Sequence, residues 1–508
     1  LAYEAAISHD QKALAYLKSL GDRERSARVL MQLGLTYHTL FDFERASQAY
    51  QEGFVLWQRA EERGRSGTSP PPALHPLRVQ SLDPISLDSA FGGDSFSSDM
   101  IDQLFSGLAV VSSDGQVVPD VARSWEVSGD GREYLFHLRD DVRWGDGCPV
   151  TARDFEYAWK RVLDPGTGAP RANLFYDIRG AQAYHSGQVP DPDRVGVRVL
   201  DDFRLAVELD KPTGYFPIWL AAPWSFPVPR HLVEAQGRAW AEPGNIVGNG
   251  PFRLQAWERG QAMVLARNPD YHGRFTGNLE RVELALIRDS SASLAAYEDN
   301  RLDILNFLGF PPVEIERARQ RHAGEYIQYP APLTYYFGFR ISFPPFDDVR
   351  VRRAFGLAID KESLANLALR GLNSPATGGL VPPGLPGHSP GIGLPFDPEQ
   401  ARQLLAEAGY PDGRGFPSVN AFRPSFLFPH TDYARSSWRE NLGVEIAWQD
   451  VDFETLDDEL LHGERPMLFA IGWVADFYDP DYVLRVGVQE HQPGWRNETY
   501  DDLIEQAR

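Results

Sequence analysis

The sequence predicts a short all-α segment followed by a larger α/β region. Residues 1–64 are rich in Ala and Leu at helical spacing, whereas strand-like and helical patterns alternate after Leu77. Residues 65–76, between the two regions, are dominated by Ser, Gly and Pro, which sustain neither a helix nor the interior of a sheet. We therefore place a linker at 65–76 and expect the two regions to be separate folding elements.

Composition excludes several classes of function. The 508 residues include 50 basic and 71 acidic side chains, a net charge of −21, which argues against binding to nucleic acid or to an anionic membrane. Cys148 is the single cysteine, so we expect no disulfide framework and no cysteine-based metal cluster. The 12 histidines are scattered, and we predict no metal site and no cofactor. No apolar run approaches the roughly 20 residues that span a bilayer.

Within residues 1–64, the apolar pattern predicts two packed antiparallel helices. Leu30, Leu33 and Tyr37 share one helix face. Gly34 and Ala46 are small enough to let two helices approach closely.

This spacing resembles the tetratricopeptide repeat, which has Leu-Gly-x-x-Tyr on its first helix and Ala-x-x-x-Tyr on its second. One and a half repeats bury no continuous core alone, so the segment either belongs to a longer array or leans on the next domain. A repeat would bind a protein partner. The alternative is a generic helical hairpin.

The α/β region has recognisable local signals. Tyr134, Phe136 and Leu138 alternate with more polar residues, as in a half-buried strand. Thr151 followed by Asp154 predicts a capping box and a helix start, and Asp397 followed by Pro398 predicts another helix. Further strands are predicted at 195–199, 203–209, 252–257, 262–266 and 441–451.

Residues 471–480 read as a short apolar strand that runs into a turn. Trp473 lies in this strand, and Asp476 follows among aromatic residues. A carboxylate in an apolar cleft would favour a cationic ligand group, because an unpaired buried charge is costly. The alternative from these residues alone is that Asp476 caps a turn.

Eleven motifs in order along 77–508 resemble the extracellular solute-binding proteins that serve oligopeptide and dipeptide importers. No single motif is specific, but the ordered set is. The motifs are Ser81–Pro84, Leu104–Leu108, Pro119–Trp125, Phe136–Arg139, Trp144–Gly147, Val150–Asp154, Asn245–Gly250, Arg267–Tyr271, Phe346–Arg352, Ala401–Tyr410 and Gly472–Asp476.

The resemblance implies a two-lobed, periplasmic-binding-protein-like α/β fold with an extra subdomain. The first lobe would comprise 77–266 and 472–508, and the second 267–471. The lobes would close by a hinge around a peptide or similar small solute, without catalysis, for an ABC importer whose membrane component is the partner. The family is periplasmic or extracellular and membrane-associated, and its pattern extends beyond residue 508. The sequence shows no signal segment, so a cytoplasmic location stays open.

By the same resemblance, Asp476 pairs with the terminal ammonium of a peptide. A closed cleft strengthens such a charge-assisted hydrogen bond. The peptide would run as an added strand along the residues before the aspartate, with the tryptophan as a wall of the cleft. These residues are Gly472, Trp473, Val474 and Ala475.

Two departures from the family pattern concern the ligand. Arg171 stands where oligopeptide binders carry a tyrosine that touches the ammonium. An arginine would repel an ammonium and could neutralise Asp476, so an anionic ligand is an open alternative. An insertion at Phe91–Asp94 is expected near the cleft.

The sequence offers two other functions. Gly387–Gly391 fits the Gly-x-Ser-x-Gly pattern of a serine hydrolase with Ser389 as nucleophile, but the surrounding prolines predict a loop instead. Alternatively, the repeat segment and the binding module are fused parts of a larger ligand-sensing regulator.

Overall fold

A computed structural model describes residues 2–64, 75–112, 115–273, 277–424, 428–452, 455–456, 459–460, 463, 466–475, 479–488 and 495–507. The chain forms two compact units, Leu1–Leu305 and Asn306–Arg508. Of the helices in the described ranges, none is long and apolar enough to cross a membrane.

Three helices open the first unit: α1 (Ala2–Leu20), α2 (Arg23–Thr39) and α3 (Phe43–Gly64). Asp22 caps α2 by accepting a hydrogen bond from the Arg25 amide at 3.1 Å. A Cβ on Gly34 would lie 2.5 Å from the Tyr50 ring, so glycine is needed where α2 and α3 meet. The predicted close helix packing is confirmed, with a third helix added before it.

In the part of the chain that the structure describes, the rest of the first unit mixes short helices with ten strands. Its helices are α4 (Ser95–Leu104), α5 (Ala152–Leu163), α6 (Ala181–His185), α7 (Phe216–Trp219), α8 (Arg230–Gln236) and α9 (Ser290–Glu298). Its strands are β1 (Leu77–Ser81), β2 (Ala109–Val111), β3 (Val117–Pro119), β4 (Ala122–Val127), β5 (Glu133–Leu138), β6 (Val197–Asp201), β7 (Arg204–Glu208), β8 (Phe252–Glu258), β9 (Ala262–Arg267) and β10 (Arg281–Leu286). Short 3-10 helices span Ala172–Phe175, Pro192–Arg194, Pro223–Ser225 and Gly237–Ala241.

These strands form two four-stranded sheets and one ribbon. The first sheet has the order β1-β10-β9-β8, with β1 and β10 parallel and the other pairs antiparallel. The second sheet, β4-β5-β7-β6, is antiparallel throughout, and β2 pairs with β3.

The N-terminal helices pack on the β4-β5-β7-β6 sheet. The Trp125 ring on β4 contacts the rings of Tyr50 and Phe54 on α3, at centroid distances of 5.5 and 4.6 Å. His38 Nε2 lies 2.9 Å from the hydroxyl of Tyr134 on β5. The helical segment therefore leans on the following domain, which was one of the two expectations.

The second unit is built on one mixed sheet. Its strands are β11 (Leu333–Phe339), β12 (Ala421–Pro424), β13 (Trp448–Val451) and β14 (Leu468–Val474), in the order β11-β14-β12-β13. Its α-helices are α10 (Pro312–Arg321), α11 (Val349–Leu357), α12 (Lys361–Ser363), α13 (Pro398–Glu407), α14 (Phe428–Leu442) and α15 (Glu498–Ala507). π-helical turns span Leu364–Ala368 and Tyr482–Gly487. Its main core surrounds the fully buried Trp438, whose ring lies 4.9 Å from that of Phe355.

Most local signals are confirmed. The Asp154 carboxylate accepts the Thr151 amide at 2.8 Å, completing the capping box of α5, and Asp397 caps α13 through the Gln400 amide at 2.9 Å. The strand predicted at 441–451 is wrong in its first half. There α14 continues to Leu442, and only 448–451 form a strand.

The domain boundaries predicted from the resemblance stay a prediction. The linker at 65–76 lies mostly outside the described residues. The division between compact units falls after Leu305, because β10 pairs with β9 and β1 in one sheet and keeps residues 281–286 with the first unit. Residues 472–474 belong to the sheet of the second unit.

Candidate functional site

The predicted ligand strand is β14, an inner strand of the second unit's sheet. It pairs antiparallel with β11 over its whole length, from Leu468↔Phe339 to Val474↔Leu333. On its other side, the described register with β12 includes only Ala421↔Leu468 and Phe422↔Phe469. Pro424, the last residue of β12, has no amide hydrogen to donate.

At Gly472 a neighbouring aromatic ring occupies the place of a side chain. A Cβ there would lie 2.7 Å from the Tyr335 ring, so the absence of a side chain lets that ring lie against the strand. The Tyr335 ring in turn contacts the imidazole of His430 on α14, at a centroid distance of 4.8 Å. Neither ring nitrogen of His430 has a hydrogen-bond partner among the described residues. Burial lowers the pKa of His430 to about 4, which keeps the imidazole neutral.

Trp473 and Val474 point into different surroundings. Trp473 is buried, and its ring packs 5.5 Å from the ring of Tyr482. Val474 is 38% exposed. Ala475 is buried, and its amide donates to the Pro332 carbonyl at 2.8 Å, which extends the link between β14 and the β11 side by one residue.

A buried ion pair follows the strand. The Arg485 guanidinium donates to both carboxylate oxygens of Asp481, at 2.7 to 3.0 Å. Asp479 lies beside this pair, and burial raises the pKa of its carboxyl. Asp476, the predicted anchor for an ammonium, lies outside the described residues. Its role stays a prediction.

Arg171 lies in the first unit, directly before the 3-10 helix Ala172–Phe175. Its carbonyl accepts the Leu174 amide at 3.1 Å. A Cβ on Gly93 would lie 3.2 Å from the Arg171 Nε, so the glycine leaves room for the guanidinium. The structure therefore brings Arg171 against the insertion at Phe91–Asp94, so the two departures from the family pattern lie side by side.

A second buried ion pair holds this insertion in place. Arg161 on α5 donates to both oxygens of Asp88, at 2.9 and 2.6 Å, and the Trp240 indole donates to the same carboxylate at 2.9 Å. The guanidinium of Arg238 lies 4.7 Å from the centre of the Phe91 ring. The backbone that faces Arg171 is thus fixed by charged and aromatic contacts.

The hydrolase alternative finds no supporting geometry at Ser389. Ser389 lies exposed in a loop between α12 and α13, and its hydroxyl donates to the Gly387 carbonyl at 3.3 Å. No strand leads directly into it and no helix follows it directly, so a nucleophile elbow is not formed there. The loop prediction is confirmed.

The fold and site can now be compared with known proteins. Residues 116–492 match the family described as bacterial extracellular solute-binding proteins, family 5 Middle. The chain belongs to this family. The family assignment made from the eleven ordered motifs is confirmed, and so is the two-lobed fold class.

Two proteins that are similar in sequence to this chain are named as binding proteins. The chain is 32% identical to a probable deoxycholate-binding periplasmic protein of Escherichia coli, over 86% of this chain and 84% of the relative. It is 33% identical to the E. coli periplasmic oligopeptide-binding protein, over 79% of this chain and 74% of the relative.

Solved structures of binding proteins share the fold of this chain. The E. coli murein tripeptide-binding protein superposes with a TM-score of 0.77 at 30% identity, covering 85% of this chain and 86% of the other. The Haemophilus influenzae oligopeptide-binding protein, in complex with RPPGFSPFR, gives a TM-score of 0.77 at 26% identity, again over 85% and 86%.

Sequence reasoning missed Tyr335 and His430. The run Leu333–Phe339 carried a strand signal in its aromatic residues, and that signal could have found Tyr335. No motif pointed to His430. Its position beside Tyr335 follows from the packing of α14 on the sheet, which a sequence pattern does not encode.

Proposed function

We propose that this solute-binding protein binds a peptide in extended conformation beside β14, for uptake by an ABC importer. The observation that carries the proposal is the difference between the two sides of β14. The described β12 ladder covers two residues, whereas the β11 ladder covers seven. Main-chain pairing along such a strand gives affinity and leaves side-chain specificity loose. The peptide-binding names of several relatives support the same ligand class.

The contacts around Gly472 fit such a ligand. The Tyr335 ring over this residue gives an apolar wall, and the neutral His430 imidazole behind it keeps hydrogen-bonding capacity. Asp476 follows one residue after the described end of the strand segment, where a carboxylate would meet the ammonium of an extended peptide. The interlobe cleft and hinge implied by the family stay predictions.

An anionic ligand is the second candidate. Arg171 replaces the tyrosine of the oligopeptide binders, and one relative is named as a probable deoxycholate-binding protein. An amphipathic carboxylate would pair with a guanidinium and not with Asp476. Arg171 packs on Gly93 within a fixed backbone, so its guanidinium is held in place.

Thermal unfolding separates the two candidates. The purified chain is heated with di- to pentapeptides carrying free or acetylated N-termini, and separately with deoxycholate. A ligand at 100 times its dissociation constant stabilises the folded state by about 2.7 kcal/mol. Stabilisation by free-amine peptides that is lost in Asp476→Ala supports the peptide proposal. Asp502→Ala, on the exposed face of α15, is the control.

Other outcomes decide against it. Stabilisation by deoxycholate or acetylated peptides that is lost in Arg171→Tyr supports the anionic ligand. No response to any of these ligands, in a chain that unfolds cooperatively, overturns both.

We further propose that the helical segment is a tetratricopeptide-like module that binds a protein partner. Its support is the small-residue contact of Gly34 with Tyr50 and two large, exposed side chains on α1, Tyr16 and Leu20. The double change of Tyr16→Ser and Leu20→Ser should weaken binding of the protein partner by the helical segment. It should leave the midpoint of thermal unfolding unchanged. Reduced association without loss of stability is the supporting result. Unaltered association places the partner elsewhere.

Membership of a family of extracellular proteins supports a periplasmic or extracellular location. We propose it for this chain. Fractionation of the native host, followed by immunoblotting, tests it.

A further inference from the structure

One turn and one helix of the first unit bring three side chains of metal-binding chemistry together. Asp146, Cys148 and His231 each offer one ligand atom, and these atoms all lie within 4.8 Å of one another. His231 Nε2 lies 2.7 Å from a carboxylate oxygen of Asp146. All three side chains are exposed, so an ion can reach them from solution.

The turn that carries the first two ligands is fixed by backbone hydrogen bonds. The Trp144 amide donates to the Cys148 carbonyl at 2.8 Å, and the Gly147 amide donates back to the Trp144 carbonyl at 2.8 Å. Gly147 has φ +91°, which a side chain would disfavour. The Asp146 carboxylate also accepts the Cys148 amide at 2.9 Å, so the carboxylate is held against the backbone of residue 148.

The third ligand stands on α8, which is anchored independently. Its first amide, that of Arg230, donates to the Asp154 carboxylate at 3.4 Å. Asp154 is buried and also caps α5. The His231 imidazole therefore projects from α8, a helix whose start is hydrogen-bonded to α5. Little rearrangement of the backbone is needed to close the three groups around an ion.

The donor set matches zinc chemistry. Zinc prefers thiolate, imidazole and carboxylate ligands, and three protein ligands leave a fourth position for water. We propose that Asp146, Cys148 and His231 form a site for a thiophilic divalent cation of the zinc class. The proposal is independent of peptide binding.

Cobalt serves as the spectroscopic probe for the full-length chain. Tetrahedral Co²⁺ with one thiolate ligand gives a sulfur-to-metal charge-transfer band, which we expect at one equivalent per chain. Zn²⁺ should displace the cobalt and abolish the band. Binding should weaken as pH falls, because protons compete for the thiolate and the imidazole.

Variants assign the ligands. Cys148→Ser should abolish the charge-transfer band, and His231→Gln should lower Zn²⁺ affinity by about 100-fold, the upper range reported for residues that support a ligand. His137→Gln is the matched control, because His137 makes a comparable 2.7 Å pair with Glu126 without a thiol nearby. It should bind Zn²⁺ like the intact chain.

The opposite results overturn the proposal. These are the absence of a charge-transfer band in the intact chain, a band that persists in Cys148→Ser, or Zn²⁺ affinity that is equal in His231→Gln and the intact chain. Thermal unfolding of each metal-free variant verifies that it is folded.

Discussion

The interface between the N-terminal helices and the β4-β5-β7-β6 sheet differs from the end of β14 in how fully the backbone of its central strand is paired with neighbouring strands. Both regions combine aromatic rings with a histidine whose pKa burial lowers to about 4. At the interface, His38 Nε2 lies near both the Tyr134 hydroxyl and the Thr213 carbonyl. Beside β14, neither nitrogen of His430 has a partner among the described residues.

The two sheets differ in how many sides of the central strand are paired. Strand β5 pairs with β4 and with β7 over five residues each, so both of its sides are used. Strand β14 is paired along its length with β11 but only at its start with β12, as far as the structure describes them. In the first region the central strand is paired on both sides, although His38 Nδ1, the Tyr50 hydroxyl and Trp125 Nε1 have no hydrogen-bond partner among the described residues. In the second region, the short described β12 ladder leaves the hydrogen-bonding capacity that the proposed ligand would use.

The largest effect on stability is expected from a change at the interface between α3 and the β4-β5-β7-β6 sheet. Trp125→Ala removes the ring that contacts Tyr50 and Phe54 and should cost about 3–5 kcal/mol in the free energy of unfolding. Denaturant unfolding measures it. Val55 is exposed on α3, the helix that carries Tyr50 and Phe54, so Val55→Ala should change the free energy of unfolding by about 0.5 kcal/mol or less. Equal effects of the two changes would contradict the account.

The two histidines should make stability depend on pH. Each has a folded-state pKa of about 4, below the ordinary 6.5, so the unfolded chain binds protons first as pH falls. Stability should therefore be full above about pH 6.5 and decline towards pH 4, by at most about 3 kcal/mol per histidine.

His38→Gln should flatten this dependence, measured as unfolding free energy against pH. His9→Gln, on the exposed part of α1, is the control. In His38→Gln, the pH dependence of the unfolding free energy that remains is assigned to His430. A saturating ligand that hydrogen-bonds His430 should alter this remaining dependence. An unchanged pH profile in His38→Gln would contradict the assigned cause.

A smaller effect is expected at the β14 strand. Gly472→Ala places a methyl group against the Tyr335 ring and should cost about 1–3 kcal/mol in stability. It should also lower peptide affinity about tenfold or more, since the displaced ring lines the proposed ligand path. Gly324→Ala, where a Cβ meets nothing within 4 Å, is the matched control in the same unit. Calorimetric titration compares the two.

The smallest effect is expected at Val474. Its side chain is 38% exposed, so Val474→Ala should change unfolding free energy by about 0.5 kcal/mol or less. The denaturation midpoint is the measurement. A loss above about 1 kcal/mol would mean that this side chain is part of a packed core.

Local signals predicted much of the fold. The alternation of Tyr134, Phe136 and Leu138 gave β5, because a half-buried strand must alternate. The cap at Asp397 gave α13. The strand expected at 441–451 was wrong at its start, because Asn441 and Leu442 are the last residues of α14 and Gly443, with a φ of +69°, follows the helix end.

The candidate site was less predictable. The strand that carries Gly472 and Trp473 was located from sequence, because its motif is local. The placement of Arg171 against Gly93 depends on contacts between segments far apart in the chain. The same is true of His231 and Asp146, which are 85 residues apart, and it explains why no metal site was expected.

Hydrogen–deuterium exchange tests the central claim most directly. Amide exchange is followed with and without a saturating peptide found by the thermal screen, comparing residues 470–475 with residues 262–267. The account predicts that the peptide slows exchange along β14 and leaves β9, already paired on both sides, unchanged. Equal protection of the two strands, or none at β14, would contradict it.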